Sequence, residues 1–356
     1  MAKPTWEELL MLAKEKGASD IHITVGVPPK MRINGHLETL DQYERLMPPD
    51  TEALANEIMD NDPKKLERFE REREYDFSIG RQNMGRYRVN AFHQRGSAAL
   101  SLRVVSTEIP DPVALGVPNS VIDLYDRRRG LILVTGPTGS GKSTTLAAII
   151  DKINKNRDAH IITLEDPIEY MHRHNKSIVN QREIGLDSNS YNDALRAALR
   201  EDPDVILVGE MRDYETISIA ITAAETGHLV LSTLHTIGAA STVDRVIDVF
   251  PAHQQQQIRV QFANVLEAVI SQQLIPLIDG TGRVAAFEVL HANHAVRNLI
   301  REGKSHQLMS VMQTNRKMGM MVMDEAIQQL YMSGRISREM AIQFAVDPDA
   351  MEGKLL

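Results

Sequence analysis

A chain of 356 residues, 42% of them hydrophobic and 25% charged, has the composition of an ordinary globular protein and the length for two or three domains. It contains no cysteine, which excludes disulfides and thiolate metal sites. A net charge of −8 argues against a general polyanion binder, whose phosphate contacts need a basic face, so no nucleic-acid partner is expected. No apolar run approaches the roughly 20 residues needed to span a bilayer. The stretch MAKPTWEELLMLAKEKG sets Glu7, Glu8 and Lys14 at helical spacing where a secretory signal would be apolar. A cytoplasmic location is expected, with any membrane association made through a partner or a surface patch.

Residues 1–108 read as a small α+β domain. A helix from about Trp6 to Lys16 stops at Gly17, the residue type that caps helix C-termini. Residues 20–24 alternate polar and apolar, and Met31-Arg32-Ile33 leads through Asn34-Gly35 to His36-Leu37, a short hairpin signal. A charged helical stretch over 50–74 precedes three strand-like segments at 75–79, 86–92 and 100–105. Their alternation suits antiparallel strands with one wet face. Pro110, Pro112 and Pro118 mark a linker over 109–127.

From residue 128 to 356 the pattern changes. Short β-branched runs at 131–135, 161–164, 205–208 and 229–232 are each followed by a candidate helix, the pattern of a parallel sheet covered on both faces. Beyond about residue 295 the chain reads as helical, with helices over 295–302, 305–313, 322–333 and 337–345.

Between two of these apolar runs lies Gly136-Pro137-Thr138-Gly139-Ser140-Gly141-Lys142-Ser143-Thr144, which fits the phosphate-loop pattern G-x-x-x-x-G-K-[ST]. The glycines permit a tight turn, and the N–H groups of Gly139, Ser140 and Gly141 are expected to wrap a β-phosphate at the start of the next helix. Lys142 supplies a point charge for the β- and γ-phosphates, and the Ser143 hydroxyl is a ligand for Mg²⁺. ATP and Mg²⁺ are therefore the expected cofactors.

The run Asp204-Val205-Ile206-Leu207-Val208-Gly209-Glu210 is an apolar strand ending in an acid, placing Glu210 to complete the metal site, partly through water. A second strand ends in Glu165-Asp166-Pro167-Ile168-Glu169. Because ligands gather at the C-terminal edge of a parallel sheet, Glu165 or Glu169 is a candidate to activate the attacking water, with Asp166 holding the turn. His228 and His235 bracket a further strand; they are either structural or sensors of the γ-phosphate.

Together these segments resemble the type IV pilus and type II secretion ATPases. GASDIHI (17–23) is similar to the start of that family's PAS-like domain, GPTGSGKST to its Walker A, and LEDPIEY (164–170) to its acidic box. VGEMRD (208–213) resembles its Walker B, and TGHLVLSTLHT (226–236) its histidine box. Residues 295–302, AVRNLIRE, resemble the AIRNLIRE motif associated with retraction, with Val296 where the motif has Ile. The resemblance implies a RecA-like P-loop NTPase core of α/β class, preceded by the PAS-like domain and followed by the helical region. It further implies a homohexamer that works at the inner face of the cytoplasmic membrane on a pilus platform protein. ATP would lie between the N-terminal domain of one subunit and the core of another, with Arg86, Arg88 and Arg103 as candidate phosphate contacts in trans. Arg297 and Asn298 are expected at the surface of the retraction-motif helix. An accessory retraction ATPase of the same family, a RecA-like nucleic-acid translocase and a non-hydrolysing scaffold are the rival readings. The missing cysteines exclude the tetracysteine zinc site common in assembly ATPases.

Overall fold

The structure, a computed structural model, describes residues 3–33, 35–81, 84–105 and 108–355. The chain divides into two compact units, Met1–Glu108 with Glu169–Met171, and Ile109–Ile168 with His172–Leu356.

In the first unit α1 (Trp6–Glu15) is closed by a capping box, Thr5 against Glu8. There follow β1 (Ala18–Ile23), β2 (Lys30–Ile33), β3 (His36–Thr39), α2 (Pro48–Ile58), α3 (Pro63–Glu72), β4 (Glu74–Arg81), β5 (Gly85–Gln94) and β6 (Ser97–Val105). The six strands form one antiparallel sheet in the order β3-β2-β1-β6-β5-β4. β2 and β3 pair with Ile33 opposite His36; Asn34, half of the expected hairpin signal, lies outside the described residues. The single helical stretch expected over 50–74 is two helices. Asp60 and Asn61 adopt positive φ and Pro63 opens the second helix, so the first must end. Strand alternation then sorts the sheet faces: Tyr87, Val89, Leu100 and Leu102 are buried with Leu9, Leu10 and Ile58, while Arg88 and Arg103 stay exposed.

The second unit opens with α4 (Asn119–Ile122), β7 (Gly130–Thr135), α5 (Lys142–Asn156), β8 (His160–Glu165), β9 (Ile178–Glu183) and α6 (Tyr191–Ala198). It continues with β10 (Val205–Val208), α7 (Tyr214–Glu225), β11 (Leu229–Leu234), α8 (Ala239–Asp248), α9 (Ala252–Val265), β12 (Leu266–Pro276) and β13 (Arg283–His291). The helices α10 (His294–Arg301), α11 (Leu308–Thr314), α12 (Met323–Met332), α13 (Arg338–Phe344) and α14 (Pro348–Lys354) complete it.

Seven strands form the sheet β13-β12-β7-β11-β10-β8-β9. β12 through β9 run parallel and β13 alone is antiparallel. Alternate residues of the central strands feed two cores: Leu131, Leu133, Ile206 and Val208 face α6 to α10, and Ile132, Val134, Val205 and Leu207 face α4 and α5. Burial on both faces explains why these strands read as unbroken apolar runs.

Three features depart from the sequence reading. β8 is followed by a loop and a further parallel strand, β9, rather than a helix. β12 and β13 form a hairpin whose Asp279-Gly280-Thr281-Gly282 turn was the available signal. Residues 109–127 pack as part of the second unit, where Val121 and Leu124 are buried. The outer ends of β12 and β13 carry Ile275, Val284 and Ala286 against Met323, Ile327 and Met351.

Candidate active site

The parallel sheet brings four chain segments to the C-terminal ends of its central strands. β7 delivers the loop 136–144. Beside it β11 delivers His235, next β10 delivers Glu210, and beyond that β8 ends in Glu165.

The loop takes the form its sequence demands. Gly136, Gly139 and Gly141 have φ of 140°, 78° and 89°, a region that side-chain-bearing residues avoid. A Cβ on Gly136 would also collide with the carbonyl oxygen of Gln272. Gly141 sits at the N-cap of the 15-residue α5 with no side chain closing the cap, so the helix's first N–H groups and positive dipole end face the loop. The Lys142 ammonium is buried and donates to the carbonyls of Gly136 at 2.9 Å and Pro137 at 3.0 Å. The hydroxyls of Ser140 and Thr135 are buried without a hydrogen-bond partner. A cradle of glycines, a buried ammonium and unspent donors fits a polyphosphate. Ser143 and Thr144 lie half-exposed in the first turn of α5, where a hydroxyl can reach a metal bound to that polyphosphate.

Glu210 is half-buried. Its Oε1 stands 2.7 Å from Arg212 Nε and 3.0 Å from His235 Nε2. Burial pushes its carboxyl up, but the Arg212 guanidinium and, after it, the His235 imidazole outweigh burial and hold it below the usual carboxylate range. The other acid of VGEMRD, Asp213, accepts from Thr216 N–H and caps α7. Glu165 Oε1 accepts from the Thr163 hydroxyl at 2.6 Å and from Gln181 Nε2 at 3.1 Å, two bonds that fix its direction. Glu169, the other candidate base, falls in the short segment that packs with the first unit.

His228 corrects the sequence reading. It sits before the first residue of β11, at the end where β7 begins, with Nδ1 on the Ala223 carbonyl at 2.9 Å. Seven residue steps of about 3.3 Å each place it roughly 23 Å from His235. Of the two histidines, His235 stands at the phosphate loop's edge of the sheet and His228 at the opposite one.

Two participants escaped the sequence reading. Tyr191, at the start of α6, carries a phenol whose ionisation is pushed far up, first by burial and then by the charges of Asp166, Glu210 and Glu165. A Cβ on Gly209 would meet its oxygen at 2.8 Å, so the glycine before Glu210 is a close-approach residue. Beside α5 lies a cavity of 270 Å³ lined by Gly141, Thr144, Leu274, Phe287, Arg283 and Arg335. Apart from the loop and the start of α5, its walls come mainly from β12, β13 and residues 113–116, segments without a recognisable motif.

In the first unit Arg86 is half-buried and Arg88 exposed on the outer sheet face, and Arg103 lies directly across from Arg88. Arg103 Nε donates to Asp20 at 2.9 Å. Burial raises the Asp20 carboxyl, yet the bonds from Arg103 and Ser19 bring it below its ordinary value.

The retraction-motif helix is anchored more firmly than expected. Val296 and Ile300 are buried, and Asn293 caps the helix. Arg297, expected at the surface, is a clasp. It donates to the carbonyls of Ala263 and Asn264 at 2.6 Å, to Ala292 at 3.1 Å, and to Glu267 at 3.0 Å. Glu267 also meets Arg127 at 3.4 Å, near the foot of β7. His294, Ala295, Asn298 and Glu302 remain exposed on the outer side.

A phosphate loop after the third strand of a seven-stranded sheet, with an acid and a histidine from the next strands, defines a RecA-like P-loop NTPase core. The chain belongs to the family described as type II/IV secretion system protein, whose model matches residues 2–346. The type IV pilus retraction ATPase PilT of Pseudomonas aeruginosa is 46% identical over 346 residues, covering 96% of this chain and 98% of that one. The type IV pilus ATPase PilU of the same organism is 42% identical, covering 96% of this chain and 88% of that one. A crystal structure of the pilus retraction motor PilT with bound ADP superposes with a TM-score of 0.92 at 50% identity, covering 99% and 100% of the two chains.

Proposed function

We propose that this chain is a homohexameric motor ATPase that hydrolyses ATP to retract type IV pili. The observation that carries the reading is the convergence of Lys142, Glu210, His235 and Glu165 on one sheet edge, in a chain alike over nearly its whole length to a retraction ATPase. The loop 136–144 would hold the phosphates, with Lys142 on the β- and γ-oxygens and the nucleoside extending into the cavity beside α5. Ser143 and, through water, Glu210 would hold Mg²⁺, which offsets charge on the phosphate oxygens when bound. Glu165, steered by Thr163 and Gln181, would accept a proton from the attacking water, and His235 would sense the γ-phosphate through Glu210.

Arg86, Arg88 and Arg103 would act on a neighbouring subunit's nucleotide, making turnover depend on ring geometry. Residues 1–108 and 109–356 would then be the two working domains. No described helix is long and apolar enough to cross a membrane, so attachment at the inner membrane face would run through a platform protein.

Electron microscopy with ATP, paired with phosphate release, tests this reading: six-membered rings that turn over ATP are expected, and a monomer without turnover would overturn it. An accessory, PilU-like role is the second reading, supported by the similar identity to that relative. Deleting the gene alone separates them, because loss of the principal motor stops retraction whereas loss of an accessory one only weakens it.

A further inference from the structure

We infer that Gln272, a residue outside every motif, is a positioning residue for the phosphate loop; the inference rests on the proposed nucleotide chemistry of that loop. β12 lies beside β7, and their last paired residues are Ser271 and Thr135. Gln272 is therefore the first β12 residue beyond the end of β7, level with Gly136, where the loop leaves the sheet. It is buried, and it meets the loop at two places and the first turn of α5 at a third. Its carbonyl oxygen stands where a Cβ of Gly136 would be. Its side-chain Oε1 accepts from the Thr145 hydroxyl at 2.8 Å. Its Nε2 lies 2.9 Å from the place a Cβ of Gly141 would take. The first and last glycines of the loop and the first turn of α5 thus rest on one amide side chain and its own backbone.

The preceding residue works on the opposite face of the strand, as alternation requires. The Ser271 hydroxyl accepts from Gly238 N–H at 3.0 Å, in the loop that carries His235. Across from Ser271, Glu288 accepts from Ala239 N–H at 2.6 Å, at the start of α8, and from Met323 N–H at 3.1 Å, at the start of α12. Two consecutive residues of β12 therefore set the phosphate loop and the histidine loop from one rigid strand. Sites built on strands hold their geometry more tightly than sites built on loops alone. Gln272 also lines the cavity beside α5, so its amide edge borders the ground the nucleoside would occupy.

The consequence is kinetic. A loop that has lost its seat must be ordered by the nucleotide itself, which weakens binding more than it slows the chemical step. Gln272→Met keeps the length and bulk of the side chain and removes both polar atoms. Thr145→Val keeps the shape of the threonine and removes the donated proton. Phosphate release against ATP concentration in the full-length protein reads the effect. Each variant is expected to raise KM about tenfold, the scale of one buried hydrogen bond, with kcat changed less than about threefold. The double variant should match the worse single one, since both break the same bond, and Thr145→Ser, which keeps the hydroxyl, should restore the wild-type KM. Unchanged KM in Gln272→Met, or KM effects that multiply in the double variant, would overturn the inference. Should Gln272→Met not fold, the Thr145→Val and Thr145→Ser pair decides by the same KM comparison. Lys142→Ala, run in parallel, keeps this outcome separate: normal turnover there would refute the nucleotide site itself.

Discussion

His235 Nε2 and Glu210 Oε1 face each other at 3.0 Å across the ends of β11 and β10, in the row of strand ends that carries the phosphate loop. Arg212 and, after it, His235 hold Glu210 ionised in a half-buried position, where burial alone would favour its protonated form. Glu210→Gln keeps the shape and removes the charge. We expect kcat for ATP to fall roughly 100-fold with KM changed much less. A phosphate-release assay over a Mg²⁺ titration checks this, and an unaltered rate and Mg²⁺ dependence would place the metal acid elsewhere.

The arginines of the outer sheet face predict dependence on assembly. Lys142→Ala and Arg88→Ala subunits are each expected to be inactive, because one lacks the loop charge and the other the contact made in trans. Rings mixed from the two contain some interfaces that join an intact loop to an intact arginine, so partial turnover should return. No recovery in verified mixed rings, with Arg86→Ala and Arg103→Ala failing likewise, would exclude action in trans.

Arg297 and Asn298 are neighbours in sequence with opposite predicted consequences. Arg297→Ala strips hydrogen bonds from the α9 C-terminus and leaves Glu267 with the exposed Arg127 alone. A loss of about 2–3 kcal/mol of stability is expected, visible as a lowered Tm. Asn298 is exposed, so Asn298→Ala should change stability by less than about 0.5 kcal/mol. If the outer face of α10 transmits force, Asn298→Ala rings hydrolyse ATP while pili in the same cells no longer retract. Normal retraction together with normal hydrolysis would leave α10 as a packing element.

His172 is expected to carry part of the acid response of the second unit. Burial lowers its imidazole from 6.5 to about 4, against a small opposing pull from Asp151. Its folded value lies below its unfolded value, so its contribution is fully present above pH 6.5 and is lost as pH falls toward 4. His172→Asn should flatten the stability profile across that window by something on the order of 2 kcal/mol. Denaturant midpoints from pH 7 to pH 4 measure it, and an equally steep profile in the variant would assign the acid response to other groups.

What the sequence disclosed and what it withheld follow from where the chemistry is local. The phosphate loop is legible because its turn, its charge and its hydroxyl all lie within nine consecutive residues. Glu210 is legible because an apolar run ending in an acid is itself a contiguous signal. Gln272 and Tyr191 were invisible because each meets the site from a distant element, and nothing in their own neighbourhoods announces it. His228 misled for the converse reason: proximity along a strand of six residues sends the two ends to opposite edges of the sheet. Arg297 misled because helical spacing names a face but does not say that another helix's terminal carbonyls wait beneath it.

The claim that this site performs mechanical work is tested most directly by imaging labelled pili in living cells whose only copy of the gene encodes Lys142→Ala. Pili should still extend, should not shorten, and should accumulate on the surface. Shortening at the wild-type rate in those cells would contradict the account.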